Sequence, residues 1–449
     1  MSIYADDVIS FTSVLKMSYN FLTGRDYLTK RKQKEKKKLI SVALGFPDLV
    51  FAANAIPVFP IRMEKFKINL YLMALNSATS LFGWDLTTKI LGIARQLDFL
   101  KVVEKVLDDV VNSVNEKYNN MYDLGVENGV PSDLCYGMNA LYGMHKSRGN
   151  LLDANLNFAM RCGEWNKFSE SLRTIVPNQI WVNIPPRGTE NEDKTLENMI
   201  GNVKKAISEL EGITGNYITD NSLKKQFRIG NQVKRFYKTI LYEICTSDFY
   251  PCNPATFAEI LALLTISFQD YNSNAQRYLE NMSQLVTEMR ERIKKGIGMD
   301  VSGMPRILIT PMFGGWEPET HEIIYELGGR SLYADWDILG LLEEIPVSEN
   351  SDPIEDYAQF LLDASTKGIG CDSEALTNSY LNFVKNLEID GLIFNQLFGC
   401  PSLSNSYEIL KSKIKSELKV PAIVINFRKI GENVDLVKSQ LKTYMDVFK

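Results

Sequence analysis

Residues 154–184 read ANLNFAMRCGEWNKFSESLRTIVPNQIWVNI, and this stretch decides the fold. The apolar run at 154–160 predicts a buried strand, the apolar spacing of 163–175 predicts a helix, and the run at 180–184 predicts a second strand. A strand, a helix and a second strand are the repeating unit of a parallel sheet, because the helix carries the chain back across the sheet. The sequence therefore predicts an α/β domain built around this unit.

Similar apolar runs occur on both sides of this unit. Upstream, LISVAL at 39–44 and AIPVFPI at 55–61 are predicted strands. Downstream, four further strands are predicted, RILIT, SLYAD, GLIFNQ and AIVINF, which begin at Arg306, Ser331, Gly391 and Ala422. Between 189 and 298 the apolar residues recur at helical spacing. The predicted fold class is α/β, with two Rossmann-like (flavodoxin-like) parallel-sheet domains joined by a helical module.

A chain of 449 residues is too long for one ordinary hydrophobic core, so several domains are expected. The predicted divisions are an N-terminal helical segment at 1–36, a first α/β domain at 37–188, a helical module at 189–300 and a second α/β domain at 301–449. The two α/β domains could be structural copies of one another. The basic run KRKQKEKKK, which starts at Lys30, is interpreted as a solvated helix end rather than a phosphate or CoA site.

Composition and missing motifs argue against several classes of protein. The net charge of -5 argues against a nucleic-acid binder, and no apolar run of membrane-spanning length occurs, so neither nucleic acid nor membrane is an expected partner. The start, MSIYADDVISF, has an acidic pair where a secretory signal has positive charges, which predicts a cytoplasmic protein. The isolated His145 and His321 argue against histidine-centred catalysis. Because GxxxxGK[ST] is missing, any ATP is expected to bind another protein.

The cysteines are the residues that point to chemistry. Cys135 follows PSD, which is typical of a helix start, so its thiol is expected near the positive end of a helix, where thiolate is favoured. Cys162 and Cys400 each lie between a predicted strand and a predicted helix, at the sheet edge where open α/β sheets bind ligands. Two facing domains could bring these three sulfurs together. Three thiolates suit a soft metal, and a [4Fe-4S] cluster held by three leaves one iron open as a Lewis acid.

A simpler alternative is that scattered cysteines are small buried hydrophobes, since no CxxC spacing is present. Cys245 and Cys252, in the helical module, are predicted to be buried thiols of this kind. Cys371 is a possible fourth ligand or a packed thiol. Four aromatic residues of the second domain either line an acyl pocket or belong to the core, namely Phe313, Trp316, Tyr333 and Trp336.

From about Lys37 to its C-terminus, the chain resembles the 2-hydroxyacyl-CoA dehydratase and benzoyl-CoA reductase family, as a subunit like the D-component of 2-hydroxyglutaryl-CoA dehydratase. The order and spacing of several stretches carry the resemblance. These stretches are FPDLVFAANAIPVFP, PSDLCYG, AMRCGEWNKFSE, IWVNIPP, RILITPMFGGWEP, DGLIFNQLFGC, KVPAIVINF and SQLKTYMDVF.

The resemblance implies that Cys135, Cys162 and Cys400 are cluster ligands, with the two α/β domains enclosing a [4Fe-4S] cluster at their interface. It implies an anaerobic radical enzyme, a lyase or oxidoreductase, which forms a heterodimer or higher oligomer with a paralogous subunit. A separate ATP-dependent iron-sulfur activator would supply the electrons. One electron would enter the thioester carbonyl of an acyl-CoA, and the resulting ketyl radical anion would expel a neighbouring hydroxyl; in the reductases an aromatic ring would be reduced.

Two alternatives remain open at this point. A double-cubane [8Fe-9S] reductase of small molecules would need further thiolates, drawn from Cys371, Cys245 or Cys252. A non-catalytic partner would only relay electrons to a paralogous catalytic subunit or stabilise it. An open iron reached by a pocket would argue for the enzyme rather than the relay.

Overall fold

The computed structural model describes residues 11–42, 46–66, 78–79, 81–84, 86–87, 89–90, 106–159, 163–185, 192–311, 317, 319–338, 340–367 and 373–449. Two four-stranded parallel sheets are separated along the chain by a series of long helices. In these described ranges, no helix combines the length and the apolar character needed to cross a membrane. The α/β class predicted from the sequence is confirmed.

The first sheet contains β1 (Leu39–Ser41), β2 (Ile56–Val58), β3 (Ala154–Ala159) and β4 (Gln179–Asn183). Their spatial order is β2-β1-β3-β4, and every neighbouring pair is parallel. The strands predicted on either side of Cys162 are therefore neighbours in one parallel sheet, as their pattern indicated.

Several helices precede and separate these strands along the chain. The N-terminal helices are α1 (Thr12–Leu22) and α2 (Gly24–Glu35), and the short α3 (Asp48–Ala52) follows β1. Helices α4 (Val106–Glu127) and α5 (Tyr136–Arg148) precede β3, and α6 (Gly163–Ser171) joins β3 to β4. Because α2 ends just before Lys36 and β1 begins at Leu39, the basic run lies at a helix end before a strand, as predicted.

Between the two sheets the chain is helical, as predicted. It forms α7 (Glu192–Thr214), α8 (Asp220–Thr239), a π-helical turn (Ile240–Ile244), α9 (Pro254–Phe268) and α10 (Ala275–Lys294). Two short strands, β5 (Phe249–Tyr250) and β6 (Met299–Asp300), pair antiparallel within this region. Helix α9 is buried along nearly its whole length and contacts both α1 and the second sheet, so the module shares one core with both.

The second sheet contains β7 (Arg306–Thr310), β8 (Arg330–Leu332), β9 (Gly391–Leu397) and β10 (Ala422–Phe427), in the order β10-β9-β7-β8. All neighbouring strands are parallel. The helices of this half are α11 (Thr320–Glu326), α12 (Asp335–Ile338), α13 (Pro353–Lys367), α14 (Ser373–Asn386), α15 (Pro401–Leu418) and α16 (Val434–Met445).

The two sheets have the same strand order. Counted from the first strand of each sheet, both run second, first, third, fourth, which matches the first four strands of the flavodoxin-like order. The predicted likeness of the two halves is therefore confirmed in their topology. One predicted strand is too long, because β8 ends at Leu332 and Asp335 starts a helix, where its carboxylate accepts a hydrogen bond from Thr310 at 3.0 Å.

A buried ion pair ties the first sheet to the helical module. The side chains of Arg62 and Asp270 are fully buried, and their charged groups lie 2.8 Å apart. The same carboxylate oxygen accepts a hydrogen bond from the backbone N–H of Phe59 at 2.9 Å, and Arg62 also donates to the carbonyl of Asn20 at 2.9 Å. Three segments that are distant in the chain are thus held at one point.

Candidate cysteine site between the two sheets

Two glycines set the position of the helix that carries Cys135. A Cβ atom on Gly143 of α5 would lie 1.8 Å from the carbonyl oxygen of Met121 in α4, and one on Gly125 of α4 would lie 2.4 Å from that of Asn139 in α5. No side chain fits at these distances, so the two backbones are in direct contact. This contact fixes where α5 begins, and hence the place of Cys135.

Cys135 is the N-cap residue of α5, as its sequence context predicted. The preceding turn is held by Asn139, whose side-chain amide donates to the carbonyls of Pro131 at 3.1 Å and Leu134 at 3.3 Å. The Cys135 side chain is partly buried. The positive end of the helix dipole favours the charged form of a thiol at this position.

Cys400 occupies the matching place in the second sheet. It is the N-cap residue of α15, three residues after the end of β9, and Pro401 takes the first helical position. The turn is closed by hydrogen bonds from the Cys400 N–H to the carbonyl of Leu397 at 3.1 Å and from the Phe398 N–H to the carbonyl of Phe427 at 2.8 Å. Cys400 therefore lies at the carboxyl edge of a parallel sheet, as predicted.

Gly399 joins the two cysteine segments. Its φ is +74°, and a Cβ atom here would lie 2.1 Å from the carbonyl oxygen of Asp133, 2.9 Å from the carbonyl carbon of Leu134 and 3.0 Å from the backbone nitrogen of Cys135. The turn before Cys400 thus touches the turn before Cys135, and the N-termini of α5 and α15 lie side by side. The sequence analysis did not predict this role of Gly399. The available signal was a glycine between a predicted strand and the cysteine that follows it.

Helix α4 contacts both the second half of the chain and the start of α5. The Asn119 side chain donates to the carbonyl of Ile430, just beyond β10, at 2.9 Å and accepts from the Tyr136 hydroxyl at 2.9 Å. The Tyr136 ring packs edge-on against Phe427 at 5.2 Å and stacks on Tyr122 at 5.1 Å. The two cysteines therefore lie where the α4 and α5 pair meets the carboxyl end of the second sheet.

Cys162 lies outside the described residues, so its predicted role as a third ligand stays a prediction. The described chain stops at Ala159 and resumes at Gly163, the first residue of α6. Met138, in the first turn of α5, packs against the Trp165 cluster of α6. In chain position, Cys162 follows the third strand of the first sheet by three residues, as Cys400 follows the third strand of the second.

Two of the three predicted ligands therefore lie at adjoining turns, and the third lies outside the described residues. The ligand role itself stays a prediction for all three. Within the described part of the chain, no group of three or more His, Cys, Asp or Glu residues could hold a metal ion. Cys371, the possible fourth ligand, also lies outside the described residues. For an iron-sulfur cluster, the fit rests on two cysteines at adjoining helix N-termini, which is suitable donor chemistry.

The two cysteines of the helical module are core residues, as predicted. Cys245 and Cys252 are both fully buried in the main hydrophobic core. Burial raises the pKa of the Cys245 thiol to about 12, despite the nearby guanidinium groups of Arg330 and Arg306. A neutral thiol of this kind is a poor metal ligand.

Both histidines are also buried and neutral. Desolvation lowers the pKa of His145 to about 4 and that of His321 to about 3. The ring of His145 hydrogen-bonds the carbonyl of Leu141 at 2.8 Å and the hydroxyl of Ser41 at 3.0 Å. These contacts indicate a structural role for His145.

The predicted acyl-pocket aromatics are tested at one position. Tyr333 is buried, and its hydroxyl contacts the ring of His321, so this residue belongs to the core. Phe313, Trp316 and the side chain of Trp336 lie outside the described residues.

Comparison with known sequences assigns the chain to a family. No curated protein matches it. The sequence model of 2-hydroxyglutaryl-CoA dehydratase, D-component, matches residues 107–448, about three quarters of the chain. The matched region contains Cys135, Cys162 and Cys400, together with the whole second sheet. The chain belongs to the 2-hydroxyglutaryl-CoA dehydratase D-component family, as the order of its sequence stretches predicted.

Proposed function

We propose that this chain is the iron-sulfur subunit of an ATP-activated acyl-CoA dehydratase or reductase, in which Cys135, Cys162 and Cys400 hold a [4Fe-4S] cluster. The observation that carries the proposal is the backbone contact at Gly399, which places two of these cysteines at one junction of the two halves. Membership of a dehydratase component family supports it. When bound, the cluster would supply a low-potential electron and one iron able to act as a Lewis acid.

The residues around the two cysteines would hold and shield such a group. Cys135 and Cys400 are N-cap residues, and the positive ends of their helices stabilise thiolates and any anionic group bound between them. The stacked rings of Tyr122 and Tyr136, with Phe427 behind them, form a buried wall beside Cys135. Excluding water from this side would protect a radical intermediate of the substrate from side reactions.

The expected partners follow from the family and from the sequence. A D-component implies a complex of several subunits, and we infer that one of them is a paralogue of this chain. Because the chain has no GxxxxGK[ST] phosphate loop, ATP hydrolysis is assigned to a separate iron-sulfur activator. The proposed setting is an anaerobic cytoplasm, since the cluster would be oxygen-sensitive.

The double-cubane alternative receives less support. It needs more than three thiolates, and two of the three spare cysteines, Cys245 and Cys252, are enclosed in the core of the helical module. Anaerobic iron analysis distinguishes the two: roughly four irons per chain fit a single cubane, and roughly eight would favour the double cubane.

The experiment that tests the acyl-CoA role is a spectral titration. The chain, reconstituted anaerobically with iron and sulfide, is titrated with a 2-hydroxyacyl-CoA, with benzoyl-CoA and with free CoA. We expect one thioester to perturb the visible or electron paramagnetic resonance spectrum, and free CoA to leave it unchanged; the responding thioester identifies dehydratase or reductase. A loaded chain that responds to neither thioester would overturn the substrate role and favour an electron relay. Cys245→Ser is the matched control, because that thiol is buried outside the site.

A further inference from the structure

A second cluster of polar groups is buried where α3, α8 and α13 meet. Asp48, Lys234, Tyr271 and Tyr357 are each no more than 2% exposed. Asp48 follows the first strand of the first sheet, Lys234 and Tyr271 belong to the helical module, and Tyr357 belongs to the second half of the chain. The cluster shares no residue with the cysteine site.

Three oxygen atoms of this cluster lack a hydrogen-bond partner. They are Asp48 Oδ1 and the hydroxyls of Tyr271 and Tyr357, and none of them finds a donor or acceptor among the described residues. Buried polar atoms in folded proteins are nearly always satisfied, by protein or by ordered water. Three unsatisfied atoms in one cluster therefore indicate a missing partner that they share.

Two of these oxygen atoms lie against a glycine of α8. A Cβ atom on Gly230 would lie 2.7 Å from Asp48 Oδ1 and 3.3 Å from the Tyr271 hydroxyl, so both oxygens approach the same point on the helix surface. The Tyr357 ring stacks on Phe227, about one turn before Gly230 on α8, with ring centres 5.2 Å apart. Desolvation and, after it, the Asp48 carboxylate raise the pKa of this phenol. A side chain at position 230 would crowd both of these oxygens.

The polar groups of this cluster favour a ligand that can both donate and accept. Burial raises the pKa of Asp48 to about 6, and Lys234 opposes this rise. Desolvation lowers the pKa of Lys234 to about 8, while Asp48 and Glu344 raise it and Lys238 lowers it. The Lys234 ammonium is already engaged, because it donates to the carbonyl of Glu343 at 2.9 Å and lies 4.1 Å from the centre of the Phe360 ring.

We propose that Asp48, Tyr271 and Tyr357 bind an internal water molecule beside Gly230, which donates to Asp48 Oδ1 and hydrogen-bonds the two tyrosine hydroxyls. A water molecule has two donors and two acceptors, so it satisfies a carboxylate and two phenols at once. Its partners come from the first half, the module and the second half, and the bound water joins all three. The site does not depend on the proposed iron-sulfur function.

Removal of single hydroxyl groups tests the proposal by the sign of the change in Tm. If a water molecule satisfies the Tyr357 hydroxyl, Tyr357→Phe loses a hydrogen bond and lowers Tm; if that hydroxyl is unsatisfied, its removal raises Tm. Tyr271→Phe is expected to behave in the same way. Tyr444→Phe is the reference for a hydroxyl that has a hydrogen-bond partner, since Tyr444 donates to the carbonyl of Pro421 at 2.8 Å. Its fall in Tm gives the size of the effect to expect.

A crystal structure of the full chain, grown without ammonium salts, supplies the second readout. We expect a density peak within hydrogen-bonding distance of Asp48 Oδ1 and of both hydroxyls, and its loss in Gly230→Ala. Gly212→Ala is the matched helical control, because nothing lies within 4 Å of its Cβ position, and it should raise Tm while leaving the peak in place. The lack of a density peak among these three oxygens, together with a Tm raised by either tyrosine substitution, would overturn the proposal.

Discussion

The backbone of Gly399 lies so close to Asp133 that a Cβ atom on the glycine would sit 2.1 Å from the aspartate's carbonyl oxygen. This contact joins the carboxyl end of β9 to the turn before α5. It therefore sets the position of Cys400 relative to Cys135, although the two cysteines belong to different halves of the chain. A site shared by the two halves depends on a residue without a side chain at position 399.

The first prediction concerns Gly399→Ala. The positive φ alone is expected to cost about 1–2 kcal/mol of folding free energy, and the clash with Asp133 adds to it. Because the turn must move away from Cys135, we expect less iron to remain bound after anaerobic reconstitution. Urea unfolding and iron analysis measure the two effects.

Gly303→Ala is the matched control for this prediction. Gly303 has nearly the same φ, +75°, and nothing within 4 Å of its Cβ position. Gly303→Ala should therefore lose the folding free energy that the positive φ costs, but it should bind as much iron as the wild type. Equal unfolding free energies and equal iron contents in the two variants would show that the Gly399 contact is unimportant.

The second prediction concerns the buried pair of Arg62 and Asp270. Arg62→Met should lower the unfolding free energy by about 3–5 kcal/mol, because it leaves a buried carboxylate without its partner. Arg62→Met combined with Asp270→Leu should cost less than the single change, since no charge is then stranded. Urea unfolding measures both variants. A double variant with a lower unfolding free energy than the single variant would contradict this explanation.

An exposed ion pair provides the comparison for these two variants. Arg235 and Glu344 lie 2.5 Å apart, but the arginine side chain is 63% exposed. Its removal should cost less than about 1 kcal/mol, because solvent screens the attraction.

The third prediction concerns acid stability. The folded-state pKa values of His145 and His321 lie below the usual value, so the folded protein binds fewer protons than the unfolded chain between about pH 4 and 6.5. Stability is therefore lost as pH falls through this window, by about 2 kcal/mol per histidine between about pH 7 and pH 5. Urea unfolding at these two values measures the loss.

Asp48 acts in the opposite direction. Its pKa is raised to about 6 by burial, so protonation of this carboxyl in the folded state adds stability as pH falls. The histidine effect is therefore read from the difference between wild type and His145→Asn, which should have a flatter pH dependence. An unchanged slope in that variant would mean that His145 is not buried as a neutral ring.

Much of the fold follows from short apolar runs. The strands that precede Cys162 and Cys400 are buried in parallel sheets. Strands of this kind consist of continuous apolar residues, so they can be recognised in a single sequence. The helix start at Cys135 could also be predicted from local sequence, because the residues PSD just before it are typical of a turn at a helix start.

What could not be predicted depends on contacts between distant segments. Asp48 after a proline and Lys234 in a charged helix are typical of solvated positions, yet both are buried, because α8 packs against α3 and α13. The contact of Gly399 with Asp133 joins two turns from different halves, and no local pattern encodes it. The strand order of the two sheets is likewise a property of tertiary packing.

The most direct test of the cysteine site is an iron and acid-labile sulfide count on anaerobically purified protein. Wild type and Cys245→Ser are compared with Cys135→Ser, Cys162→Ser and Cys400→Ser. We predict roughly four irons per chain in the first two proteins and less than about one in each of the other three. Wild-type iron in the Cys135→Ser and Cys400→Ser variants would contradict a cluster held between the two halves.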